Sequence, residues 1–193
     1  MKKPLIILAS ASPRRIELLK LIVKKFITIP SQVNEATIKA KSPEAFAIKA
    51  ALAKAWEVAL QNRQAVVIGA DTIVVLGKKI LGKPKSQKAA RLMLKALAGK
   101  EHRVITGLAV VRAETAEQST DFGITKVKMK KVGEKEIAEY VESGRPLDKA
   151  GAYGIQEIEE IFIEKIEGDY YNVVGLPLQL LKRMLQNYFG KIS

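Results

Sequence analysis

The chain has 193 residues, 48% of them hydrophobic, and a formal net charge of +13 from 33 Lys+Arg against 20 Asp+Glu. That apolar fraction, with ordinary counts of 13 Gly and 7 Pro, excludes disordered, collagen-like and low-complexity chains and predicts a single domain over residues 1–193, whole or in two lobes around a cleft. The absence of Cys and a lone histidine, His102, exclude disulfides, thiolate zinc sites, cysteine nucleophiles and histidine-rich metal clusters. Any metal would be a hard cation on oxygen ligands, such as Mg²⁺.

In chain order, a basic flank (Met1-Lys2-Lys3) precedes the apolar run Leu5–Ala9, which ends at Ser10 ahead of two arginines. The run is too short for a signal peptide or for the roughly 20 apolar residues that cross a bilayer. A cytoplasmic protein without a membrane span is expected. Pro4–Ala9 reads as a buried strand, and Ser12 as the cap of a helix opening on Pro13 and running to about Val23. Phe26–Pro30 is a short strand. Ser42-Pro43 repeats the cap-then-proline start, leading a helix to about Leu60 with the stripe Ala45, Ile48, Leu52, Trp56 and Ala59. Ala65–Ala70 is a strand buried on both faces, continued by Thr72–Val75 to a turn at Gly77. Ser86 caps a helix to Leu97, closed by Gly99.

Arg103–Val111 and Phe122–Val132 read as paired strands joined by Ala113–Ser119. The later elements are a helix at Lys135–Ser143, a strand at Ile161–Ile166 and a helix at Pro177–Phe189. Alternating strands and helices followed by two long adjacent strands predict a mixed α/β fold. The lysines are scattered, and in Thr125–Met129 they alternate with Thr, Val and Met, the pattern of a half-buried strand showing lysine to water. A solvated basic surface is therefore expected ahead of a nucleic-acid groove, while a small anionic ligand fits the charge.

Four segments can carry chemistry. In Ser10-Ala-Ser-Pro-Arg-Arg15 a helix N-terminus, already partly positive, carries two arginines in its first turn, which is unfavourable unless an anion is bound. N–H groups, hydroxyls and guanidinium forks together make a phosphate cradle; otherwise Arg14 and Arg15 reach solvent or pair with Glu17. Gly77–Pro84 nearly spells a phosphate-binding P-loop, but Pro84 replaces the required Ser/Thr and lacks an N–H, leaving Lys83 as a point charge or a surface lysine. Asp71, at the end of a buried strand, is a base, a metal ligand or a turn acceptor. In Asp148–Gln156, two glycines three apart allow close backbone approach, and the Gln156 amide complements the N3–H and O4 edge of uracil or thymine. A glycine loop with Gln156 bonded to backbone is the other reading. Lys54 lies opposite the expected stripe, on a side that carries Ala47, Ala50 and Ala51, so it faces solvent or lines a cleft. His102 is read as structural.

Taken together, Leu8–Arg15, Gly69-Ala-Asp-Thr72, Ile80–Pro84, Val104-Ile-Thr-Gly107, Pro146–Gln156 and Tyr171–Pro177 resemble, in this order, the Maf family of nucleoside triphosphate pyrophosphatases. The resemblance implies a mixed twisted sheet flanked by helices, two lobes around a deep nucleotide cleft, as in inosine triphosphatases, and hydrolysis between the α- and β-phosphates. It implies the dTTP/UTP branch, with Arg14, Thr72 and Gln156 as its specificity set and Asp71 as proton acceptor. It also implies phosphate or metal binding at Ser10, Arg15, Glu35, Lys54 and Lys83, with Lys54 and Lys83 offsetting charge and Glu35 and Asp71 holding Mg²⁺ or Mn²⁺. A homodimer is the usual state. The chain departs from the family pattern at Glu157, where glycine is usual, at Asn34, often Asp, and at Arg145, commonly acidic. Rival readings are a 7-methyl-GTP or other modified-nucleotide pyrophosphatase, and a non-catalytic nucleic-acid-binding or cell-division protein.

Overall fold

The structure, a computed structural model, describes residues 4–189; the basic flank at residues 1–3 lies outside them. The first half of the chain builds β1 (Ile6–Leu8), α1 (Pro13–Lys20), β2 (Ile27–Thr28), α2 (Pro43–Gln61), β3 (Val66–Leu76), β4 (Lys79–Leu81) and α3 (Gln87–Leu97). The second half adds β5 (Glu101–Arg112), β6 (Glu117–Met129), α4 (Glu134–Glu142), α5 (Ile155–Phe162), β7 (Ile163–Glu167), α6 (Tyr170–Val174) and α7 (Leu178–Phe189). The sheet order is β2-β1-β3-β5-β6-β7, with β4 added to β3. β1 is parallel to β2 and β3, whereas the β3–β4 and β6–β7 pairs are antiparallel. The mixed α/β fold class expected from the alternation is the one observed.

The chain forms two compact units interleaved along the sequence. The first takes the chain up to Asp71, Thr106–Gly123 and the stretch from Gly175; the second takes Thr72–Ile105 and Ile124–Val174. In the first unit, Ser12 caps α1 by accepting from the Arg15 N–H, with Pro13 at the first helical position as its fixed φ favours. The helix closes earlier than expected. Leu21 and Ile22 bond back to Leu18 and Leu19 at 3.1 and 3.0 Å, tightening the last turn before Val23.

Helix α2 corrects the expected stripe. Its buried residues are Ala47, Ala50, Ala51, Ala55, Val58 and Ala59, while Ala45, Ile48, Leu52 and Trp56 are only partly buried. Volume explains the choice. A Cβ added at Gly69 on β3 would lie 2.2 Å from the Ala51 carbonyl oxygen, and one at Gly107 on β5 would lie 2.3 Å from the Ala47 carbonyl. Glycine on the strands and alanine on the helix let the two backbones touch, which a leucine face cannot do. The resulting core joins Ile7, Ala51, Ala55, Val58, Val67, Ala109 and Val111.

A second correction concerns β3. It runs unbroken from Val66 to Leu76, so Asp71 sits in mid-strand rather than at a strand end. The carboxylate is tolerated there because α2 supplies a cation, as described below.

In the second unit, Gly77 at φ +61° turns β3 into β4, a strand the sequence reading lacked. Ser86 caps α3 and Gly99 at φ +70° follows it, both as expected. Thr125, Val127 and Met129 of β6 are buried while Lys126 and Lys128 are exposed, matching the alternation. The Asp148–Gln156 segment is not a pure glycine loop. After 3-10 turns at Arg145–Asp148 and Ala150–Ala152 it enters α5, whose Ile155, Ile158 and Phe162 are buried on one face.

Candidate active site

Six of the residues singled out in the sequence lie in the first unit, and four of them converge electrostatically. The Lys54 ammonium of α2 donates to Glu35 Oε1 at 2.5 Å and to Asp71 Oδ1 at 2.6 Å. Helix α2 presents Lys54 because positions 47, 50, 51, 55 and 58 face inward and residue 54 falls beside them. Asn34 holds Glu35 in place. Its side chain accepts from the Ala36 N–H at 3.1 Å and starts the 3-10 turn Glu35–Thr37, a capping role that its carboxylate counterpart would share.

Asp71 is 4% exposed, and its second oxygen, Oδ2, is buried without a hydrogen-bond partner among the described residues. Leaving a buried carboxylate oxygen unmet costs about 1–3 kcal/mol. An acceptor kept open at that cost is what a proton acceptor or a metal ligand requires.

Arg15 carries the same field. Burial lowers its pKa from the ordinary guanidinium value, the Asp71 and Glu35 carboxylates raise it, and neighbouring Arg14 lowers it. Its Nε donates to the Gly175 carbonyl at 2.9 Å. Gly175 lies within the Tyr171–Pro177 motif, which by itself assigns it no role, yet it carries a signal. Its φ of +123° lies in a region that favours glycine, so the conformation presenting this carbonyl is one other residues rarely adopt. Ser10 is buried, and its hydroxyl accepts from the Ser12 N–H at 3.1 Å, shaping the turn into α1. Arg14 is half-buried in the first turn of that helix, which contains no acidic residue.

The donor set here is oxygen only. Among the described residues no group of three or more His, Cys, Asp or Glu forms a metal cluster. Glu35 and Asp71 both reach the Lys54 ammonium, and Asp71 Oδ2 is unmet; such oxygen donors would suit a hard cation that takes its other ligands from substrate oxygens and water, as Mg²⁺ does.

The other three candidates belong to the second unit. Thr72 follows Asp71 along β3 and is half-buried. Lys83 is exposed just beyond β4, next to Gly82, whose carbonyl accepts from the Gly151 N–H at 3.1 Å. Gln156 is exposed in the first turn of α5. His102 is buried, with Nε2 2.6 Å from the Tyr153 hydroxyl; burial lowers its pKa from 6.5 to about 4 and raises that of Tyr153 above the ordinary phenol value.

The family described as Maf-like protein matches residues 5–188. A dTTP/UTP pyrophosphatase of Clostridioides difficile is 44% identical over 185 residues, covering 96% of this chain and 95% of its own. One from Clostridium botulinum is 48% identical over 184 residues, covering 93% of this chain and 95% of its own. A HAM1 protein from Coxiella burnetii shares the fold with a TM-score of 0.52 at 17% identity, over 95% of this chain and 99% of that one. No helix among the described residues is long and apolar enough to cross a membrane.

Proposed function

Since the chain belongs to the Maf-like protein family, we propose that it is a nucleoside triphosphate pyrophosphatase acting on dTTP and UTP. Water adds across the α–β phosphoanhydride, giving the nucleoside monophosphate and pyrophosphate. The observation that carries this reading is the Glu35–Lys54–Asp71 cluster, with one buried Asp71 oxygen left unmet.

In this reading Asp71 Oδ2 accepts a hydrogen bond from the attacking water and then its proton. Lys54 fixes the carboxylate through the other oxygen, so the acceptor cannot turn away. Arg15, held at its Nε by the Gly175 carbonyl, keeps its terminal nitrogens oriented as a fork, and with the N-terminus of α1 it meets polyphosphate charge. Glu35 and Asp71 would hold a divalent cation, Mg²⁺ or Mn²⁺, which when bound offsets charge on the phosphate oxygens. Lys83 is assigned to phosphate, and Arg14, Thr72 and Gln156 to choice of base; the motif resemblance supports these roles. A cytoplasmic homodimer completes the proposal on the same support, and sedimentation of the purified protein tests the dimer.

The decisive experiment is pyrophosphate release from a panel of dTTP, UTP, CTP, ATP, GTP and 7-methyl-GTP with Mg²⁺. Preference for dTTP and UTP supports the reading. Preference for 7-methyl-GTP, or no turnover of any member, overturns it.

A further inference from the structure

Lys149 is the one lysine among the described residues that is buried, at 6% exposure, and its surroundings saturate it. The ammonium lies 2.7 Å from Asp148 Oδ1 and 3.1 Å from Glu157 Oε1, and it donates to the Arg145 carbonyl at 2.6 Å. Those partners account for its three N–H groups. The second Glu157 oxygen accepts from the Tyr140 hydroxyl at 2.8 Å, and the Tyr140 oxygen accepts from the Gly154 N–H at 3.2 Å. Burial raises the Tyr140 pKa well above the ordinary phenol value, which keeps the hydroxyl protonated and able to donate. The Arg145 guanidinium lies over the Tyr140 ring, 5.5 Å from its centroid.

Three of these contacts, Lys149–Glu157, Tyr140–Glu157 and Gly154–Tyr140, end on one short piece of chain. Gly154 is the N-cap of α5 and has no side chain with which to cap it. A Cβ at Gly154 would lie 2.7 Å from Lys149 Cε, so glycine is what lets the lysine stem lie against the helix start. Glu157 sits in the first turn, where a carboxylate also complements the helix dipole. Between them in that turn lie Ile155, which is buried, and Gln156, which is exposed. The direction in which α5 leaves the loop, and with it the place of the Gln156 amide, is therefore set by the Lys149–Glu157–Tyr140 chain of contacts.

We propose that Lys149, Glu157 and Tyr140 are positioning residues that hold the first turn of α5 so that Gln156 selects uracil and thymine over cytosine. The proposal rests on the assignment of Gln156 to the base. Uracil presents an N3–H donor and an O4 acceptor where cytosine presents an acceptor and an amine donor. An amide discriminates between them only if its own orientation is fixed.

The test measures kcat and KM for UTP, dTTP and CTP in the wild type, Glu157→Gln, Tyr140→Phe, Glu157→Asp and Gln156→Ala, with a thermal melt of each. Glu157→Gln and Tyr140→Phe should each raise KM for UTP and dTTP about tenfold, the loss of roughly one well-made contact. They should narrow the UTP-over-CTP preference while kcat moves far less, and Glu157→Asp should restore part of it. Tyr140→Phe keeps the ring packed edge-on against Phe162, so it reports even if Glu157→Gln fails to fold. If both variants keep the wild-type preference while Gln156→Ala loses it, the positioning role is wrong and the base assignment stands. If Gln156→Ala keeps the preference, the base assignment itself is wrong. An equal fall of kcat for every nucleotide, with the preference unchanged, makes the cluster structural and overturns the proposal.

Discussion

Lys54 and Lys149 are each held between two carboxylates, Glu35 and Asp71 in the first unit, Asp148 and Glu157 in the second. The distances are alike, 2.5 and 2.6 Å against 2.7 and 3.1 Å, so charge pairing does not separate them. Satisfaction does. Around Lys149 both oxygens of Glu157 are engaged and the ammonium reaches three acceptors. Around Lys54 a buried oxygen of the cluster, Asp71 Oδ2, has no hydrogen-bond partner among the described residues. The same three side-chain types make a structural clasp when every valence is used, and a reactive site when one is withheld.

The sharpest way to break this comparison is Asp71→Asn. The amide keeps the shape and cannot take a proton, so turnover should fall by about 10²–10⁴-fold while nucleotide affinity changes little. Pyrophosphate release beside equilibrium titration with UTP checks it. Full turnover in this variant would mean that the unmet oxygen has no chemical role.

His102 tests whether an unmet buried atom always signals chemistry. Its Nδ1 is also buried without a hydrogen-bond partner among the described residues, yet it lies in the second unit against Tyr153. The unfolded chain takes up a proton near 6.5, whereas the folded protein does so only near 4. The neutral ring therefore contributes stability in full above about pH 6.5, and this contribution is lost as pH falls towards 4. At about 1.4 kcal/mol per pH unit the loss comes to roughly 3 kcal/mol. Urea melts between pH 7 and 4 should show it, and His102→Gln should flatten the dependence. An unchanged slope in the variant would assign the acid sensitivity elsewhere.

What the sequence disclosed follows the range of the forces involved. The Ser12-Pro13 and Ser42-Pro43 starts were legible because a cap and its acceptor lie within three residues of each other. The packed face of α2 was not, because Gly69 and Gly107 decide it from distant strands. Asp71 looked like a strand terminus for a similar reason: its compensating cation comes from 17 residues away. Helix α5 did leave a signal in Ile155, Ile158 and Phe162, but the glycines before it drew the reading towards a loop. Arg14, Arg15, Glu35, Lys54 and Asp71 could be named from motifs. The support behind them, the Gly175 carbonyl and the unmet Oδ2, appears only in three dimensions.

The smallest expected effect lies at the surface and checks the other end of the scale. Lys128 pairs with Glu164 at 2.7 Å, as close as Lys149 pairs with Asp148, but both side chains of that pair are about half exposed. Water screens such a pair and side-chain entropy offsets most of its attraction, so Lys128→Ala should cost no more than about 0.5 kcal/mol. Lys149→Met should cost about 2 kcal/mol or more, because it strands a partly buried Glu157 and an Arg145 carbonyl that lose their donor. Melting both variants at low and high salt separates them: Lys128→Ala should lose its small effect in salt, while Lys149→Met should keep most of its own. Equal losses would show that burial does not distinguish the clasp from an ordinary surface ion pair.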